Sequence, residues 1–95
     1  MLRLKLDGPG LVVDFDPVGR ALYVRVRSGR VHSTREEADG VHVDLDRTGR
    51  LLGVEVLEPG RAGARVRAVL RRLARRYRLS TLSHLHPDEF PKVYA

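Results

Sequence analysis

Four aspartates stand in two Asp-x-Asp pairs, Asp14 with Asp16 and Asp44 with Asp46. Paired carboxylates can hold a hard cation or do acid–base work. Their setting points to a more local task. Asp16 opens the sequence Asp16-Pro17-Val18-Gly19 and Asp46 opens Asp46-Arg47-Thr48-Gly49. A carboxylate at the first position of a turn caps the following amides, and Gly19 and Gly49 at the fourth can turn left-handed. Asp14 and Asp44 then fall on the polar face of a strand, within reach of Arg25 across it. No calcium loop, nucleophile or phosphate cradle accompanies them. Asp16, Gly19, Asp46 and Gly49 are therefore read as turn residues, and no catalytic residue is assigned.

The histidines are His32, His42, His84 and His86, and the run His84-Leu85-His86-Pro87-Asp88-Glu89 carries donors that suit zinc or nickel. A His-x-His pair converges only on an extended chain, Pro87 interrupts that regularity, and no distant third ligand is evident. The absence of cysteine excludes a thiolate zinc site, a cysteine nucleophile and a disulfide framework. Ser33, Thr34, Ser80, Thr81 and Ser83 stand in no Gly-x-Ser-x-Gly elbow. The expectation is a protein that is not an enzyme and that carries no cofactor and no metal.

The third group is cationic. Arg61, Arg65, Arg67, Arg71, Arg72, Arg75, Arg76 and Arg78 fall within one segment that holds no acid, whereas residues 1–60 carry 9 basic and 10 acidic side chains. The formal charge of +6 thus belongs to a single stretch of chain. Such a stretch suits phosphates or another polyanion. Arg can read guanine, but the chain has no Asn or Gln to read adenine and too few aromatics for a stacking platform.

These groups need elements to place them. Residues 13–26, VDFDPVGRALYVRV, return as residues 43–56, VDLDRTGRLLGVEV, with 8 of 14 positions identical. In each copy apolar and polar residues alternate with a period of two on either side of the turn, which predicts a hairpin with one apolar face. Residues 30–37 and 2–6 add further strands. After Glu58-Pro59-Gly60, the residues Val66, Val69, Leu70, Leu73 and Tyr77 fall within about 100° of a helical wheel, opposite the eight arginines. The predicted fold is α+β: an antiparallel meander of five or six strands, with one C-terminal amphipathic helix over residues 61–78 packed on its apolar face. Residues 1–78 form the single domain this length allows, and 79–95 form an apolar tail that packs on its own domain or on a partner subunit.

The segment from Val13 to Leu57 resembles the family known as domain of unknown function 2283. The likeness rests on Ala21-Leu22-Tyr23, Asp39-Gly40-Val41, Asp46-Arg47-Thr48-Gly49 and Gly53-Val54-Glu55. It implies a small β-rich domain and brings no activity with it.

No apolar run reaches the roughly 18–20 residues a bilayer needs, and MLRLKLDGPG has no signal core, so a cytoplasmic setting without membrane partners is expected. Missing Ile and Asn with scarce Lys suggest a GC-rich bacterial genome, and missing Asn, Gln and Cys suit a thermophile. The expected function is that of a small non-catalytic interaction module, self-associating as a homodimer through open sheet edges or docking another protein. The alternative is DNA or RNA binding through the arginine helix.

Overall fold

In a computed structural model of the chain, residues 2–5, 11–16, 18 and 20–84 are described, with the backbone alone at 2–5, 60–63, 81 and 84. Six strands, β1 (Leu2–Lys5), β2 (Val12–Asp16), β3 (Ala21–Arg25), β4 (Ser33–Ala38), β5 (Val41–Leu45) and β6 (Leu51–Leu57), precede one helix, α1 (Pro59–Tyr77), and a 3₁₀ helix (Ser80–His84). The strands form one antiparallel sheet in the order β1-β2-β3-β6-β5-β4. The fold is the α+β one that the alternation predicts. Its meander comes in two halves, β1-β2-β3 and β4-β5-β6, joined where β3 meets β6.

That join makes the repeat a symmetry. Val13 faces Val24 in the first half and Val43 faces Val54 in the second. At the join Val24 faces Val54, Tyr23 faces Glu55 and Arg25 faces Gly53. Equivalent valines of the two copies thus meet, and a local twofold passes between them, perpendicular to the sheet. Outer strands follow the same rule: Arg3 sits opposite Asp14, and Thr34 sits opposite Asp44. Sequence chemistry explains the order. β4 reads STREEA, with exposed charges suited to an edge, whereas β3 and β6 read ALYVR and LLGVEVL and need neighbours on both sides. A register shift between Glu36 and Ala38 puts a bulge at Glu37, a common device of edge strands. β4 itself begins at Ser33 rather than Arg30, leaving Arg30, Val31 and His32 in an exposed loop.

One face of the sheet is the core. Val13, Leu22, Val24, Val41, Val43, Val54 and Val56 are fully buried there beneath Val66, Val69, Leu70 and Leu73 of α1. The helix starts at Pro59, two residues earlier than residues 61–78 would have it, because proline is favoured in the first turn, where its missing N–H costs no bond. Glu58 before it is left-handed at φ 48° and its N–H donates to the Arg20 carbonyl at 2.9 Å. An ion pair of 3.2 Å between Arg20 and Glu58 ties the same corner to the first hairpin. At the other end Arg78 turns left-handed at φ 56° and the Leu79 N–H closes on the Ala74 carbonyl at 2.9 Å, ending the helix one residue short of Arg78. The irregular tail expected after Leu79 is instead a 3₁₀ helix as far as His84, anchored in the core by the fully buried Leu82. Leu85, Phe90, Val93 and Tyr94 lie outside the described residues. No helix among the described residues is long and apolar enough to cross a membrane.

Candidate functional site

The polar face of the sheet uses its aspartates internally. Asp16 accepts the Val18 N–H at 3.0 Å. Asp46 Oδ1 accepts the Thr48 N–H at 2.9 Å, the Thr48 hydroxyl at 2.7 Å and the Arg50 N–H at 2.9 Å, while Oδ2 takes the Arg50 Nε at 3.0 Å. These donors, the Thr48 hydroxyl foremost, hold the Asp46 carboxyl well below its ordinary range. Gly49 closes that turn at φ 87°, its N–H on the Asp46 carbonyl. Gly19 lies outside the described residues.

Asp44 does something the spacing did not reveal. Its Oδ2 accepts the Tyr23 hydroxyl at 2.8 Å and its Oδ1 accepts the Thr34 hydroxyl at 2.6 Å. Tyr23 stands on β3 and Asp44 on β5, so the phenol must cross β6, which lies between them. It crosses at Gly53, where a β-carbon would overlap the ring. Burial first, and the bond to Asp44 second, push the Tyr23 hydroxyl above its usual ionisation range. Arg25 does not pair with Asp44. Its guanidinium lies 5.6 Å from the centre of the Tyr23 ring instead. One signal could have exposed this network: within the repeat, Tyr23 is matched by a residue with no side chain.

Residues 12–58 match the family described as protein of unknown function (DUF2283). The DUF2283 segment contains Tyr23, Asp44, Asp46 and Gly53, together with the whole repeat, and it stops where α1 begins. No curated protein and no solved structure matches the chain. The segment accounts for β2 to β6; β1 and the cationic helix lie outside it.

Tertiary contacts divide the eight arginines. Arg65, Arg72 and Arg76 lie on the side of α1 nearer β4. Arg76 reaches Glu37 at 3.0 Å, and Arg65 reaches the Asp39 carboxylate at 3.6 Å and its carbonyl at 3.3 Å. Glu37 also accepts Arg35 at 3.0 Å, and its side chain is only 8% exposed between them. Arg65 and Arg76 are therefore each engaged by an acid, Arg76 sharing Glu37 with Arg35, so the eight arginines are not one uniformly free outward surface. Arg67 is half-buried and engaged, and the side chain of Arg61 lies outside the described residues. Arg71, Arg72, Arg75 and Arg78 are exposed and have no acidic partner among the described residues.

Three of those four surround a cleft. Arg71, Arg75 and Arg78, with Ala74, Ser80 and Ser83, line a cavity of about 430 Å³ where the end of α1 meets the 3₁₀ helix. A second cavity, of about 350 Å³, lies by the β4–β5 turn and holds Glu36, Asp39, His42, Glu58 and Arg65. Three carboxylates face one arginine there, and Glu58 is paired with Arg20 from outside the cavity. Nδ1 of His42 there is buried without a hydrogen bond, 3.9 Å from a Glu55 carboxylate oxygen. Among the described residues no three His, Asp or Glu side chains cluster as metal ligands. The His84–Glu89 run falls outside them, except for the backbone of His84.

Proposed function

We propose that this protein is a non-catalytic interaction module whose working surface is the C-terminal half of α1, and that its partner is a nucleic-acid backbone. One observation carries the reading: Arg71, Arg72, Arg75 and Arg78 are exposed and have no acidic partner among the described residues, whereas Arg65 and Arg76 are tied to Asp39 and Glu37. A helix that needed its arginines only for solubility would gain nothing by leaving one patch uncompensated and screening the next. The patch is at the carbonyl end of α1, where the helix dipole opposes anions, so the attraction must come from the guanidiniums.

Contact would be with phosphates rather than bases. Tyr23 is committed to the far face of the sheet and Tyr77 packs against the core, so neither offers a ring for stacking. Duplex DNA, with its higher charge density, is the favoured form, and the setting is cytoplasmic. Four phosphate contacts would give a slope of log affinity against log salt of about −3.6.

A mobility shift of duplex DNA at 50 mM and 200 mM salt tests this. Binding that weakens with that slope, is lost in R71A/R72A/R75A/R78A and persists in R27A/R30A supports the reading. No shift at 50 mM salt overturns it.

A homodimer is the second reading, favoured by the outer edge of β4, which pairs with no further strand among the described residues. The bulge at Glu37 limits such pairing to the start of the strand. Sedimentation at micromolar concentration separates a two-chain species from a single chain.

A further inference from the structure

We infer that the cleft between α1 and the 3₁₀ helix is a seat for a phosphomonoester, the terminal phosphate of a nucleic-acid strand. The inference rests on the backbone-binding reading and gives it one particular contact.

Arg71 and Arg75 stand one turn apart in a row along α1, and Arg78 extends that row from the left-handed residue that caps the helix. The row overlooks the cleft they line with Ser80 and Ser83. Ala74 gives the cleft its depth. It is the small residue in a stripe otherwise made of Leu70, Leu73 and Tyr77, and it is itself buried. The far wall is fixed rather than loose: Leu82 is fully buried, the Leu79 N–H holds the Ala74 carbonyl, and the Ser83 hydroxyl donates to the Ser80 carbonyl at 2.5 Å. The exposed Ser80 hydroxyl remains as a further donor.

Charge and shape select the ligand. Three guanidiniums with no acid beside them among the described residues leave a local surplus that one singly charged group offsets poorly. A phosphomonoester brings a charge of about −1.5 to −2 and three acceptor oxygens, which planar guanidinium forks engage in pairs. A diester within the strand brings only one charge and two such oxygens. At about 430 Å³ the cavity is at the small end of ligand sites, which run roughly 300–1,000 Å³. It has room for a phosphate and its sugar, and the rest of the strand would pass over Arg72.

The experiment compares one duplex with and without 5′-phosphates in a fluorescence-anisotropy titration at 50 mM salt, with inorganic phosphate as competitor. Tighter binding of the phosphorylated duplex, on the order of tenfold as one added charge-assisted hydrogen bond gives, is the result expected. R71A and R75A should erase that difference, while R72A weakens both duplexes alike. Inorganic phosphate at millimolar levels should cancel the preference before it displaces the duplex. Equal binding of the two duplexes overturns the seat and leaves the backbone reading standing. No binding of either overturns both.

Discussion

Tyr23 and Gly53 occupy equivalent positions in the two copies of the repeat, and the phenol of the first lies across the backbone of the second. The local twofold would put a second tyrosine at 53, on the path the first one takes to Asp44. Only one of the two can cross the sheet. The pair therefore breaks the symmetry that the rest of the sheet keeps, and it binds β3, β5 and β4 through a single carboxylate.

Gly53→Ala should destabilise the fold by about 1–3 kcal/mol, because the added methyl meets a ring held in place by its hydrogen bond. In a Tyr23→Ala background the same change should cost much less. Urea unfolding of the two single variants and the double variant measures the coupling. Independent, additive effects would show that the ring does not constrain residue 53.

Glu37→Gln should act in opposite directions on two measurements. It releases Arg35 and Arg76 from a carboxylate that is largely buried, at a cost in stability of about 1 kcal/mol. It also frees Arg76 to join Arg72 on the cationic face, so affinity for duplex DNA at 50 mM salt should rise a few-fold. Unfolding midpoints and mobility shifts on the same preparation check both signs.

Asp46 links stability to acid. Its carboxyl titrates lower in the folded chain than the ordinary value near 3.8, so the folded state favours the ionised form. The stabilisation is complete above the ordinary value and fades as pH falls below it toward the depressed one. Asp46→Asn should lower the urea midpoint at pH 7, and the gap from the parent should close as pH falls below about 4. A gap independent of pH would locate the effect in the turn geometry instead of the charge.

Tyr23 gives the matching effect in alkali. Its hydroxyl ionises above its ordinary value of 10.0, so the contribution of the hydroxyl to stability is whole below pH 10 and is lost as pH rises through the raised value. Phenolate absorbance should show a late step, and Tyr23→Phe should remove it.

Much of this protein was legible in its residues alone. The alternation around Asp16 and Asp46 specified two hairpins because strand pleating has a period of two, so one face had to be apolar. The spacing from Val66 to Tyr77 specified a helix with one oily stripe for the same kind of reason. Those are local periodicities, and local geometry enforces them. Tertiary structure alone decided that β3 pairs with β6, since register between distant strands depends on which edges can bear exposure. It also decided which arginines are free. Arg76 and Arg72 look alike on a helical wheel. Only Glu37, at the bulge of β4, engages one and leaves the other to solvent, because an ion pair depends on distance in space and not on position along the chain.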